Sequence, residues 1–126
     1  MKKVLIVDDS ELIVTLLRTL FEDEGYDVEV AYDGDEGLKK AGEVSPDLIL
    51  LDMLLPRMRG DEVCRHLKQG EVTKIIPVIV FTTVDNRDLA EKMLRIGAVD
   101  YFVKPFDMSS LIHRVEEVLS NGSQGS

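Results

Sequence analysis

The stretch Lys3-Val4-Leu5-Ile6-Val7-Asp8-Asp9-Ser10 sets the pattern of the chain, with an apolar run followed by two acidic residues and a serine. A short continuous apolar run is typical of a strand in a parallel sheet that is covered on both faces. Ser10 is a typical N-cap for a helix reaching about Glu24, and Gly25 is a typical helix stop. The stretch therefore predicts a strand, a polar edge and a helix in succession.

Strand-like apolar runs and helical patterns alternate four more times along the chain. This strict alternation predicts an α/β fold with right-handed crossovers, a parallel sheet and helices on both faces. We expect one domain over residues 1–120 and a disordered polar tail over 121–126, either a linker or sequence added during cloning. The predicted strands are Lys3–Val7, Asp27–Ala31, Asp47–Leu51, Pro77–Phe81 and Tyr101–Val103, and the predicted helices are 10–24, 35–44, 61–68, 86–96 and 109–119.

Composition narrows the class of protein. With 126 residues, 44% hydrophobic and 31% charged, the chain has the makeup of one folded domain. Cys64 is the only cysteine, which excludes an internal disulfide and a cysteine metal cluster. Without an apolar run of about 18 residues or a signal peptide, we expect a cytoplasmic protein. The net charge of -9 would repel nucleic acids and anionic membranes, so we expect direct contact with neither.

Polar residues follow four of the five predicted strands. In open α/β sheets a site forms beyond the carboxyl ends of the strands, so these residues are expected to converge. Three clustered carboxylates repel one another unless a cation is present, and oxygen-only ligands in a small pocket favour Mg²⁺, with Mn²⁺ as a substitute. The residues are Asp8 and Asp9 after the first strand, Asp52 after the third, Thr82 at the end of the fourth and Lys104 after the fifth.

These side chains suit phosphoryl transfer to a carboxylate. Asp52 can act as the nucleophile, and the Lys104 ammonium can neutralise phosphoryl charge. The Thr82 hydroxyl can reach a phosphoryl oxygen only when Asp52 carries one. Such a conditional contact shifts the population between two conformations, which is the physical basis of a switch.

Four sequence elements, in this order and spacing, resemble the receiver domains of two-component response regulators through about Leu119. The resemblance implies the flavodoxin-like strand order 2-1-3-4-5 and a phosphorylation-dependent signalling switch. It also implies a histidine kinase or a histidine phosphotransfer protein as phosphodonor. The elements are Val4–Ser10, Leu50–Gly60, Thr82-Thr83 and Gly97–Phe106.

The resemblance also assigns roles to individual residues. Asp52 would be the phosphoacceptor, Asp9 a direct metal ligand and Asp8 a ligand acting largely through water. The backbone carbonyl of Leu54 would complete the protein's share of the metal shell. Thr82 would be coupled to Tyr101, which on base rates alone would be a half-buried strand aromatic. Lys104-Pro105 would carry a cis peptide bond.

The resemblance further implies surfaces for partners. The phosphodonor would dock beside the active site against Leu12, Val14, Pro105 and Phe106. Leu12 and Val14 lie off the helical stripe formed by Ile13, Leu16, Leu17, Leu20 and Phe21, so we expect both to face solvent; scattered exposed apolar residues are an equally weighted alternative. The fourth helix, fifth strand and fifth helix would form the surface for a downstream partner or a homodimer.

Two aliphatic residues predict a slow reset of the switch. Leu54 and Val84 stand where some fast-cycling receivers carry polar or acidic groups. Because neither side chain can orient an attacking water, slow autodephosphorylation is expected.

Other functions have less support. A metal-dependent phosphohydrolase of the haloacid-dehalogenase type needs an Asp-x-Asp nucleophile on strand one and a cap, and this sequence has adjacent Asp8-Asp9 and no room for a cap. A flavin- or nucleotide-binding protein would need a phosphate-cradling loop there, and Asp8-Asp9-Ser10-Glu11 would repel phosphate without a metal, so that function is excluded. The chain is expected to act alone or to be part of a longer regulator whose output domain lies elsewhere.

Overall fold

The computed structural model describes the backbone of residues 1–124 and the side chains of residues 1–120. Ten elements alternate along the chain, and their bounds lie within one or two residues of the predicted ones except at the end of the last helix. The α/β prediction is confirmed. The elements are β1 (Lys3–Val7), α1 (Glu11–Asp23), β2 (Asp27–Ala31), α2 (Gly34–Val44), β3 (Leu48–Leu51), α3 (Gly60–Gln69), β4 (Val78–Thr82), α4 (Arg87–Ile96), β5 (Asp100–Val103) and α5 (Met108–Gln124).

The five strands form one parallel sheet in the order β2-β1-β3-β4-β5, as the sequence predicts. Val7 at the end of β1 lies opposite Ala31 of β2 on one side and Leu51 of β3 on the other. The strand order reverses between β1 and β3, and ligands of open α/β sheets bind at such a point. The residues that follow β1 and β3 therefore occupy the binding edge of the sheet.

Two apolar cores cover the faces of the sheet. Alternate residues of one strand project to opposite faces, so Leu5 packs in the core under α2, α3 and α4, whereas Ile6 packs in the core under α1 and α5. Both side chains are fully buried. This two-sided burial explains why the strands are continuous apolar runs in the sequence.

The ends of α1 follow the predicted signals. The Ser10 Oγ accepts a hydrogen bond from the Ile13 amide, which caps the first turn. Gly25 has φ of +92°, a left-handed conformation that favours glycine, and its amide bonds back to the carbonyl of Glu22. These local interactions fix where the helix begins and ends.

The buried face of α1 differs from the prediction. Val14, Leu17 and Phe21 are the buried residues, whereas Leu16 is 44% exposed. The prediction that Val14 faces solvent is wrong, and the prediction for Leu12, at 77% exposed, is confirmed. The first two turns carry apolar residues on several sides, so two stripes fit helical spacing. Contact with the sheet and α5 selects the stripe of Val14.

The last helix runs further than predicted. It reaches Gln124 and so includes residues 121–124, which the sequence places in a disordered polar tail. Once a helix exists, each added residue gains one backbone hydrogen bond, which lets it extend into weak helix formers. Residues 125 and 126 of that tail lie outside the described residues, and the domain boundary at residue 120 stays a prediction. Across the part of the chain that is described, no helix is long and apolar enough to cross a bilayer.

Candidate functional site

Three carboxylates meet at the carboxyl ends of β1 and β3, as predicted. Asp8 and Asp9 follow β1, Asp52 follows β3, and one carboxylate oxygen from each lies within 4.8 Å of the others. Asp8 is fully buried and Asp52 is 5% exposed, whereas Asp9 is exposed. The backbone holds this arrangement because the Asp52 amide bonds to the carbonyl of Val7 at 3.0 Å. Two buried acids and one accessible acid therefore share one pocket.

Lys104 bridges the two buried acids. Its Nζ donates to Asp8 Oδ2 at 2.8 Å and to Asp52 Oδ2 at 3.4 Å, and its side chain is 14% exposed. The Lys104 amide bonds to the Thr82 carbonyl at 2.7 Å, which extends the pairing of β4 and β5 into the loop. The Lys104-Pro105 peptide is cis, as the resemblance implies. One ammonium thus faces two buried carboxylates, leaving the cluster negatively charged.

The electrostatics of Asp52 reflect this imbalance. Burial raises the pKa of the Asp52 carboxyl above its usual value, with the Lys104 ammonium opposing the rise and Asp8 adding to it. Hydrogen bonds from the Thr82 hydroxyl and the Leu54 amide also lower the pKa, without reversing the net direction. The ionised Asp52 carboxylate is therefore held at an energetic cost that added positive charge would reduce.

Thr82 and Tyr101 meet through the backbone of one residue. The buried Thr82 Oγ1 accepts from the Val84 amide at 3.3 Å, and the Tyr101 hydroxyl donates to the Val84 carbonyl at 2.7 Å. Burial raises the pKa of Tyr101, and the charges of Asp52 and Asp85 raise it further, so the hydroxyl stays a donor. Sequence reasoning paired the two side chains but did not find this link, because a backbone contact leaves no residue-type signal.

The Leu54 backbone lies beside Asp52, since its amide donates to Asp52 Oδ1 at 3.3 Å. The Leu54 side chain is 54% exposed. The predicted role of its carbonyl as a metal ligand stays a prediction.

A glycine sets the spacing of the loop that follows Asp52. A Cβ placed on Gly60 would lie 2.7 Å from Met53 Cα and would also collide with the Asp52 carbonyl oxygen. The Gly60 amide bonds to the Met53 carbonyl at 3.0 Å. The start of α3 therefore packs directly on the backbone of the central aspartate, which only a residue without a side chain allows.

Three of the four predicted docking residues are exposed or half-buried, and one is buried. Leu12 and Pro105 are exposed and Phe106 is half-buried, but Val14 is buried and cannot belong to an exposed surface. A groove of about 470 Å³ lies beside the acidic pocket. Ile13 was missed because the apolar pattern of the first helix assigns it to the core, and Met108 was missed because it lies just before the predicted helix 109–119. The groove is lined by Ser10, Ile13, Thr83, Lys104, Pro105, Phe106 and Met108.

Comparison with known proteins gives consistent matches. Residues 4–116 match the family described as response regulator receiver domain. The alkaline phosphatase synthesis transcriptional regulatory protein PhoP of Bacillus subtilis is 45% identical over 118 residues, covering 94% of this chain and 48% of that protein. Response regulator ArlR of Staphylococcus saprophyticus is 40% identical over 126 residues, covering 98% of this chain and 55% of that protein. The chain spans about half the length of these relatives.

A solved structure agrees over the whole chain. The CheY-like response regulator receiver domain protein from Methanospirillum hungatei superposes with a TM-score of 0.94 at 29% identity, covering 100% of this chain and 99% of that one. Sequence family, strand order and the carboxylate cluster at the switch point agree. The chain belongs to the response regulator receiver domain family, the phosphorylation-dependent signalling switches of two-component systems.

Proposed function

We propose that Asp52 is the phosphoacceptor of this switch. The observation that carries the proposal is the position of Lys104, whose ammonium contacts both Asp52 and its buried neighbour Asp8. A buried carboxylate with a lysine at hydrogen-bond distance and an exposed acid nearby can receive a phosphoryl group and neutralise part of its charge. Asp8 lacks open access because it is fully buried.

The acidic pocket fits Mg²⁺. Its donor set consists of oxygens alone, and oxygens of Asp8, Asp9 and Asp52 lie within 4.8 Å of one another. We assign Asp9 and Asp52 as direct ligands, Asp8 as a ligand largely through water and the Leu54 carbonyl as the backbone donor, with Mn²⁺ as a substitute. When bound, the metal would neutralise charge on phosphoryl oxygens.

The residues of the chain carry the remaining chemistry of the transfer. An Asp52 oxygen forms the new bond to phosphorus, while the bond from phosphorus to the donor's leaving group breaks and the electron pair departs with that group. With a phosphohistidine donor the leaving group is the imidazole of a histidine kinase or histidine phosphotransfer protein. Lys104 pairs with a phosphoryl oxygen as a compact positive charge. In this proposal the domain catalyses only its own phosphorylation and a slow autodephosphorylation.

The switch acts through Thr82 and Tyr101. In the structure the Thr82 hydroxyl oxygen accepts a hydrogen bond from the Val84 amide. A phosphoryl oxygen at Asp52 would offer the Thr82 hydroxyl a new acceptor. Movement at Thr82 would displace Val84, whose carbonyl accepts from the Tyr101 hydroxyl. The change would reach α4, β5 and α5, because Val84 precedes α4 and Tyr101 lies on β5. That surface would bind a downstream protein, an attached output domain or a second copy.

We further propose that the phosphorylated state decays slowly. The side chain of Leu54 is exposed beside Asp52 and that of Val84 is half-buried, and neither can hydrogen-bond an attacking water. Val84→Glu should speed the loss of the phosphoryl group after the donor is removed, followed by mass spectrometry. A half-life of only seconds in the unmodified chain would contradict the proposal.

The phosphodonor would dock beside the acidic pocket. Leu12, Pro105 and Phe106 offer apolar surface there, and the groove adds Ile13 and Met108. A donor helix with an apolar face and a central histidine suits this surface. The proposed donor places the reaction in the cytoplasm, and the negative net charge argues against direct contact of this domain with nucleic acids or membranes.

One experiment tests the central proposal. The chain is incubated with acetyl phosphate, with and without Mg²⁺, and its mass and phosphorylated residue are determined. The expected result is one added phosphoryl group at Asp52, dependent on Mg²⁺, lost in Asp52→Asn and kept in Asp88→Asn, an exposed acid in α4. A phosphoryl group that persists in Asp52→Asn would contradict the assignment.

A further inference from the structure

The aromatic ring of Phe81 lies under the Lys104 ammonium. Lys104 Nζ is 4.7 Å from the ring centroid, well within cation–π range. Phe81 is fully buried, and the Lys104 side chain is 14% exposed. Little water therefore screens the contact, and a cation–π interaction is strongest when it is desolvated.

The ammonium has three close neighbours and three hydrogens to direct at them. The carboxylates of Asp8 and Asp52 accept hydrogen bonds at 2.8 and 3.4 Å. The face of the Phe81 ring, which carries the negative side of its quadrupole, lies against the same ammonium. An aliphatic residue in place of Phe81 would leave this side of a buried cation without an electrostatic partner.

Other aromatic rings hold the Phe81 ring in place. Phe106 packs edge-to-face against it, with centroids 6.3 Å apart and planes at 87°. Phe106 also packs at 71° against Phe102, with centroids 5.9 Å apart. Such edge contacts restrict ring rotation, because buried aromatic pairs favour this geometry. The face under Lys104 is therefore a fixed part of the site.

We propose that Phe81 is a positioning residue for Lys104, holding the ammonium between Asp8 and Asp52 where a phosphoryl group would arrive. The proposal rests on the proposed function of Asp52. Lysine has a flexible four-carbon stem, and its shorter bond here is to Asp8. Without the ring, the ammonium is free to follow that bond away from Asp52 and would neutralise less of the incoming charge.

A series of fluorinated phenylalanines at position 81 tests the electrostatic part of this proposal. Each added fluorine weakens the negative ring face and changes the volume little, so the core stays packed. The measurement is the rate of Asp52 phosphorylation by acetyl phosphate with Mg²⁺. The expected result is a stepwise fall that totals between about 2-fold and about 30-fold. The same series at Phe21, a buried ring of α1 packed on Tyr26, should leave the rate unchanged.

An NMR measurement tests the contact independently of phosphorylation. Protons on the ε-carbon of Lys104 should show an upfield ring-current shift that disappears in Phe81→Leu and persists in Phe21→Leu. A flat rate series in a chain that is phosphorylated at Asp52, or no ring-current shift in the unmodified chain, would overturn the proposal. Absence of phosphorylation in the unmodified chain would instead overturn the proposed function and this proposal with it.

Discussion

Replacing Lys104 by methionine should destabilise the metal-free protein substantially. The substitution keeps most of the side-chain volume and removes an ammonium that contacts both buried acids. The Asp8 side chain is 1% exposed and that of Asp52 is 7% exposed, so water cannot readily replace the lost charge. Removing one partner of a buried ion pair costs about 3–5 kcal/mol. Because Lys104 itself is 14% exposed, we expect the lower end, about 3 kcal/mol.

The loss should depend on pH in a defined direction. The folded-state pKa of Asp52 is already raised above its ordinary value of 3.8, mainly by burial, and Lys104 is the largest opposing influence. Removing Lys104 raises this pKa further. A group with a raised folded pKa favours folding at low pH and loses that contribution as pH rises through the folded value. The deficit of Lys104→Met should therefore be largest near neutral pH and shrink as pH falls toward 4.

Urea unfolding at pH 7 and pH 4.5, with a chelator present to remove metal ions, measures both the loss of stability and its pH dependence. Lys39→Met is the matched control, since Lys39 is an exposed lysine of α2 and its replacement changes the net charge by the same amount. The control should stay within about 0.5 kcal/mol of the unmodified chain. Adding Mg²⁺ should stabilise Lys104→Met more than the unmodified chain. A deficit below about 0.5 kcal/mol at pH 7, or one that grows on acidification, would refute the reasoning.

Three further sets of substitutions test separate parts of the structure. Gly60→Ala should destabilise the protein by about 1–3 kcal/mol in urea unfolding, because the added Cβ meets backbone atoms. Gly42→Ala, in open space on α2, should instead stabilise it by up to about 1 kcal/mol. Equal effects of the two substitutions would contradict the close approach at Gly60. Val14→Asp should lower the urea concentration of unfolding more than Leu12→Asp does, because Val14 is buried and Leu12 is exposed. Leu12→Asp should slow phosphorylation by a histidine kinase and leave phosphorylation by acetyl phosphate unchanged. Slowing of both reactions would count against docking at Leu12. Tyr101→Phe removes the hydrogen bond to the Val84 carbonyl and should lower the free energy of unfolding by about 1 kcal/mol, measured by thermal unfolding. A variant as stable as the unmodified chain would contradict that hydrogen bond.

Local signals made the fold predictable. Ser10, Gly25 and the residues around each apolar run punctuate the chain closely enough that strand and helix bounds follow from the sequence. The site was predictable for a related reason. Parallel strands end at one edge, so residues that follow β1, β3 and β5 must meet whatever their separation in the chain. Asp8, Asp52 and Lys104 meet in this way.

The errors arise where several arrangements satisfy the same local pattern. The segment from Leu12 to Leu17 is apolar at five of six positions, so helical spacing alone cannot choose the buried face. The choice depends on how α1 packs on the sheet, which buries Val14 and exposes Leu16. The contact of Phe81 with Lys104 was equally hidden. A phenylalanine in an apolar strand predicts only burial, and the neighbour above its ring depends on the path of the loop after β5.

The stability cost of the acidic cluster and its capacity to respond have the same physical source. Burial beside Asp8 disfavours the charge of Asp52, and one ammonium compensates for two acids. A ligand that alters the charge at Asp52 must therefore change the partners of Lys104 and of the Thr82 hydroxyl. Because Thr82 and Tyr101 both bond to the backbone of Val84, we predict that this exchange would shift β5. A cluster in which each buried acid had its own positive partner would be more stable, and a change of charge at Asp52 would alter its surroundings less.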